Sequence, residues 1–178
     1  MAYSFVEPRA GMLNIDQTDS GVTMANGSSA VPTPPATLGQ VARAFDPTYG
    51  EGEFILLVGV ASTVVGSLVS YNATTYQTAL SANTANLAGP VAVAMSACTA
   101  ALFGWYQIGG LAVIKKTAVA TSPQVAVYQS ATTGRIMATA ASGKQILGAR
   151  SANLASVTST TSTVIVSINR PHKQGAVA

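Results

Sequence analysis

The chain has 178 residues with a formal net charge of +3, and only 8% of them are charged, against roughly a quarter in an ordinary soluble domain. That length suits one compact domain with a buried core plus an extended segment, and so little charge leaves copies poorly defended against association, which argues for a subunit of an assembly. A pI near 9.2 invites a nucleic-acid partner, but the Lys and Arg residues are scattered, adjacent only at Lys115-Lys116, and lack the clustered basic stripe of such proteins.

Residues 1–38 read as an extended arm. The start, Met1 to Pro8, has no basic region followed by an apolar one, so nothing points to secretion. Polar and turn residues such as Asn14, Asp16, Asp19, Asn26, Gly27 and Ser28 alternate with isolated hydrophobics, and the segment ends in Val31-Pro32-Thr33-Pro34-Pro35. Proline fixes φ, lacks an N–H and biases its predecessor to extended geometry, so this run is a stiff spacer. Tyr3, Phe5, Val6, Met12, Leu13 and Ile15 are more anchors than a solvated tail needs, which favours an arm laid across a partner.

From Leu38 the signals are those of strands. The short β-branched runs are Phe54–Val60, Ser67–Tyr71, Pro90–Met95, Gly104–Ile114, Gln124–Tyr128, Arg135–Ala138 and Ser162–Asn169, the last closed by Arg170-Pro171. Gly, Pro, Asn or Ser/Thr clusters bound each of them, which predicts an all-β fold: a compact β-sandwich or barrel, with a jelly-roll-like arrangement among the options. Thr75 to Asn86 is compatible with a short helix or with a loop. No stretch approaches about 18 uninterrupted apolar residues, so no membrane span is expected. Val69–Thr75 and Val127–Thr133 echo one another, by coincidence of composition or by duplication of a strand-loop-strand unit. The domain reading is an arm over 1–38, a β-rich body over 39–170 and a flexible tail over 171–178.

Residues that carry chemistry are scarce. Proton transfer and nucleophile activation need a positioned base, and no acid follows Phe54; the sole histidine, His172, lies in the tail segment. Cys98 is alone, which rules out an intrachain disulfide framework and suits a buried inert thiol. Gly50-Glu51-Gly52 and Gly109-Gly110 lack the helix and lysine of a phosphate loop and read as turn or bulge glycines. Asp46, Glu51 and Glu53 could ligate calcium but lack a dedicated loop spacing, so they read as solvated turn acids. Trp105-Tyr106 with Tyr49 could form a sugar platform; an inward Trp105 is the ordinary alternative. No catalytic residue, cofactor or metal is expected. The acids all precede Phe54, whereas most basic residues follow it, so an acidic front segment is expected to meet basic surface on its own body or on a neighbour.

The segments Arg43–Ala61, Gly66–Asn72, Gly89–Met95 and Phe103–Ala112, in that order, resemble the capsid decoration, or cement, proteins of tailed bacteriophages, over roughly residues 39–170. The resemblance implies a β-sandwich or barrel on the outside of an icosahedral shell, assembled in the host cytoplasm, that bridges neighbouring major capsid subunits. Its partners would be the major capsid protein and neighbouring copies of itself, without specific nucleic acid or membrane. The partner-binding anchors expected within the arm are Tyr3, Phe5, Leu13 and Ile15. Two other readings stay open: a tail or head-completion subunit, and a glycan-binding or glycan-degrading virion component using Glu51 and Glu53.

Overall fold

In the computed structural model, which describes residues 2–7, 12–22 and 32–176, every regular element among those residues is a β-strand. In chain order they are β1 (Ser4–Phe5), β2 (Thr18–Asp19), β3 (Val41–Asp46), β4 (Gly50–Val58), β5 (Leu68–Tyr71), β6 (Thr78–Leu80), β7 (Ala88–Ala94), β8 (Phe103–Lys115), β9 (Ala126–Gln129), β10 (Ile136–Met137), β11 (Gln145–Ser151) and β12 (Thr163–Gln174). All pair antiparallel in one sheet of order β1-β3-β4-β8-β7-β12-β11-β9-β10, with β2 on the start of β8 and β5 linking β7 to β6. The sheet does not close into a barrel. It folds over on itself into a sandwich-like body, so the all-β sandwich expected from the strand runs is what forms, and the barrel alternative is not.

The fold-over has a local cause in β8, the longest strand. Its first half pairs with β4, from Val58↔Phe103 to Glu53↔Gly109, and its second half pairs with β12, from Asn169↔Gly109 to Thr163↔Lys115. The change of partner falls on Gly109-Gly110, where the β4 register slips between Glu53 and Phe54. Gly110 sits at φ 91, and a Cβ there would lie 2.5 Å from the Glu51 carbonyl oxygen; only glycine accepts both that angle and that approach. The bulge reading of this pair is therefore what the chain adopts. The half beyond the bend contributes Ala112 and Ile114 to a core with Leu68, Val91, Val93, Val127, Ile136, Ile146, Val164, Val166 and Ile168. The half before it is buried on both faces, which explains why Phe54–Val58 and Phe103–Ile108 show no apolar/polar alternation; the one amide in them, Gln107, is buried and donates to the Gly109 and Leu111 carbonyls.

Three regions depart from the sequence expectations. Thr75 to Asn86 forms neither helix nor plain loop but a tight turn and then β6. The Asn72 side chain accepts from the Thr74 and Thr75 N–H groups at 2.8 and 3.0 Å, and Tyr76 at φ 57 stops any helix from propagating. Strand β12 does not end at Arg170 but turns there, at φ 41, and runs through Pro171 to Gln174 against β7 and β11; residues 171–174 are sheet rather than tail. Strands β3 and β11 complete the set. The echo at Val69 and Val127 corresponds to two hairpins closed alike: Ser130 Oγ accepts from Thr132 N–H at 2.9 Å as Asn72 does for Thr74, ahead of β10 and β6 respectively. Asn26 to Ser29, Val31, and the end of the tail at Val177 and Ala178 lie outside the described residues.

Candidate functional site

Strand alternation builds a groove on the outer face of the β3–β4–β8 layer. Side chains two apart along a strand share a face, so Ala42 and Ala44 of β3, Phe54 and Leu56 of β4, and Trp105 of β8, paired with Leu56, point to one side. Ile55, Leu57, Tyr106 and Ile108 point to the other. Alanine on β3 keeps the groove deep, and Met95, Ala36 and Leu38 line it further.

The arm fills this groove, and all four expected anchors lie in it: Tyr3, Phe5, Leu13 and Ile15, with Met12 beside them. Tyr3 stands edge-on to Phe54, ring centroids 4.8 Å apart, and Phe5 stands edge-on to Trp105 at 5.5 Å, pairs that contribute about 0.5–1.5 kcal/mol each beyond area burial. Ile15 is only 3% exposed. Backbone pairing adds Ser4↔Phe45, Phe5↔Ala44, Thr18↔Gly104 and Asp19↔Phe103. The sequence placed these anchors against a partner; in the single chain the surface they cover is its own.

Polar groups of the body catch the arm at three points. The Trp105 Nε1–H donates to the Leu13 carbonyl at 2.7 Å. The Tyr3 hydroxyl donates to the Leu111 carbonyl at 3.0 Å and accepts from Gln107 Nε2 at 3.3 Å, and burial pushes its phenol above the usual range. The Ala2 N–H donates to Asp46 Oδ2 at 2.6 Å, while Asp46 Oδ1 accepts from the Thr48 and Tyr49 N–H groups at 2.8 and 3.0 Å. Burial raises the Asp46 carboxyl, but the three backbone donors outweigh it and hold the group below its ordinary value. Trp105 is thus buried beneath the arm rather than offered as a sugar platform. The sequence reads Asp46 as a solvated turn acid; instead it is buried, because its carboxylate caps the turn N–H groups of Thr48 and Tyr49 and captures the Ala2 N–H of the arm.

The other acids have local uses. Glu51 and Glu53 do share a face, and Arg43 lies between them at 3.4 and 3.7 Å, with Arg170 of β12 closing on Glu53 at 3.3 Å. Arg43 belongs to the front segment itself, so Glu53 with Arg170 is the one pair here that joins the acidic front to the basic body of the same chain. Asp46 faces the arm instead, so the three acids are not brought together for calcium. Cys98 is fully buried between Gly59 and Gly104, and burial pushes its thiol up, as an inert thiol requires. Lys116, 1% exposed, donates to the Val119 carbonyl at 2.8 Å and to that of Thr117 at 3.3 Å, and burial lowers its ammonium. His172 is exposed on β12.

At the β1–β3 edge, large apolar side chains face solvent: Val6 at 56%, Val41 at 43% and Phe45 at 53% exposed. Val6 and Val41 line one cleft with Met12 and Arg43, and Phe45 stands opposite Ser4. Val64 and Val65 are displayed likewise on the turn before β5, which is pinned by Gly66 N–H to the Ala94 carbonyl and by Lys115 N–H to the Gly66 carbonyl. No protein-family model matches the chain, and no curated protein or solved structure matches it.

Proposed function

We propose that the chain is a structural subunit that binds the outside of a tailed-phage capsid and cements neighbouring major capsid subunits. The observation that carries the reading is the exposed apolar edge, Val6, Val41 and Phe45, on a body with only 8% charged residues. Apolar side chains rimmed by polar residues mark contact surfaces on soluble proteins, and the Arg43, Glu51 and Glu53 network borders this one. Of this edge, Phe45 falls within the segments from Arg43 to Ala112 that resemble decoration proteins. A contact of about 1,000 Å², at roughly 25 cal/mol per Å² before entropic costs, would give each copy a modest hold. Repetition over a lattice turns modest holds into strong retention.

The test is co-sedimentation of the purified chain with phage shells that lack it, followed by electron cryomicroscopy. The expected result is many copies per shell, each bridging capsid subunits, with occupancy reduced by V41S and F45S. A handful of copies at one vertex would assign it to tail attachment or head completion instead, and absence from the pellet would overturn the capsid reading.

A further inference from the structure

Asp46 is the one buried acid among the described residues, 2% exposed, and a buried carboxylate is ordinarily met by a cation. The ion pairs of the described residues fall on Glu51 and Glu53 instead. At Asp46 the contacts are backbone nitrogens: Oδ1 serves its own turn through Thr48 and Tyr49, and Oδ2 accepts from the Ala2 nitrogen at 2.6 Å. The position of that nitrogen is fixed from the residues after it. Ser4 is in register with Phe45, and Tyr3 is clasped by its edge contact with Phe54 and by its hydroxyl on the Leu111 carbonyl. The Ala2 side chain is exposed, so the site takes hold of a main-chain nitrogen at a set place and not of a side chain. The charge of the amino terminus is already among the causes that hold the Asp46 carboxyl below its ordinary value, after burial, which raises it, and the three backbone donors.

We infer that the chain is processed between Met1 and Ala2, and that Asp46 is the receptor for the α-ammonium this frees on Ala2. Water adds across the Met1–Ala2 amide, methionine leaves with the new carboxylate, and the Ala2 nitrogen becomes an amine that takes up a proton at neutral pH. No other co-reactant is needed. An aminopeptidase that releases an initiating methionine acts where the next side chain is small, as alanine is. It reaches the bond only while the arm is undocked, so processing precedes docking. The same nitrogen then meets Oδ2 as a charged donor, and charge-assisted hydrogen bonds are roughly twice as strong as neutral ones. The buried carboxylate gains its cation, and the end of the arm gains a contact that sets the β1 register. The inference stands on Ala2 and Asp46 and not on the capsid reading, and its test uses the free protein.

The untagged chain, expressed from Met1 with ¹³C-labelled alanine, is weighed intact and then titrated by NMR at the Ala2 Cα. The expected mass lacks one methionine. The amine should titrate above the ordinary α-amino value of about 8 and fall back to it in D46N. The Tyr3 and Tyr49 phenols are the other titratable groups that face the pair, and Y49F should leave the midpoint where it is. A second readout does not depend on Asp46 variants folding. A2S is still processed, whereas A2Q keeps its methionine behind a longer side chain, so the Ser4 and Phe5 amides of A2Q should exchange roughly tenfold faster than those of A2S. An expressed chain that retains Met1 would overturn the inference, as would a midpoint near 8 that D46N leaves unchanged or equal exchange in A2S and A2Q.

Discussion

Both faces of the β4–β8 pair are buried, but by different means. The inner face, with Ile55, Leu57, Tyr106, Ile108 and Cys98, is covered by β5 and β7 through apolar packing. The outer face, with Phe54, Leu56 and Trp105, is covered by a sequence-distant segment, 92 positions from Trp105 at Leu13, that is also caught by Trp105 Nε1 and Asp46. The inner cover forms because neighbouring strands carry it there. The outer cover depends on a guest that must find its place, and specific polar catches are what give it one register.

The sharpest way to break this comparison is a truncation on each face. Trp105→Ala removes the Phe5 contact and the bond to Leu13 together, and should cost about 3–5 kcal/mol in urea unfolding while stripping amide-exchange protection from residues 12–19. Leu57→Ala, fully buried on the inner face, should cost about 2–5 kcal/mol and leave arm protection as it is. If both variants free the arm equally, the two faces are one cooperative unit and the guest description fails.

A smaller effect isolates one polar catch. The Asp46 carboxyl is held below its ordinary value, so the stability it contributes is fully present above the ordinary Asp range near pH 4 and is lost as pH falls through that range towards the depressed folded value. The groups that face it are the Ala2, Thr48 and Tyr49 N–H groups and the Tyr3 phenol. Acidification should therefore loosen the β1 end before the body. Trp105, the sole tryptophan, reports this as a change in emission when Phe5 leaves it. Asp46→Asn should cost about 1–2 kcal/mol at neutral pH and flatten that acid transition; an unchanged transition would mean that another carboxyl governs it.

What the sequence disclosed follows the same division. Strands β4, β5, β7, β8, β9, β10 and β12 were legible because each is an apolar β-branched run bounded by turn residues, a signal contained within the run. Strand β3 was not. Its inward residues are Ala42 and Ala44, and its large apolar ones, Val41 and Phe45, point to solvent, so its alternation is inverted relative to an ordinary half-buried strand. Strand β11 is broken by Gly148, where the register with β12 shifts. The arm anchors were recognisable as anchors because Tyr3, Phe5, Leu13 and Ile15 stand out in a polar segment. Their destination was not, since the groove exists only once β3, β4 and β8 are aligned, and no local pattern encodes that.

The smallest effect concerns the charged cluster on the side of β3 and β4 opposite the arm groove, where Glu53 of the acidic front meets Arg170 of the basic body within one chain. Glu53 stands opposite Gly109 at the bend of β8 and draws Arg43 of β3 and Arg170 of β12 towards it. Both guanidinium groups are about two-thirds exposed, and exposed pairs contribute roughly 0.2–1 kcal/mol and are screened over about 8 Å at physiological salt. Glu53→Gln should therefore lower stability by less than about 1 kcal/mol in dilute buffer and by almost nothing in 1 M salt, with arm protection intact. The bend is already fixed by Gly110, whose backbone angle and contact with Glu51 do not depend on charge. A loss larger than that, persisting in salt, would show that the ion network and not the glycine sets the turn of β8, and with it the depth of the groove the arm fills.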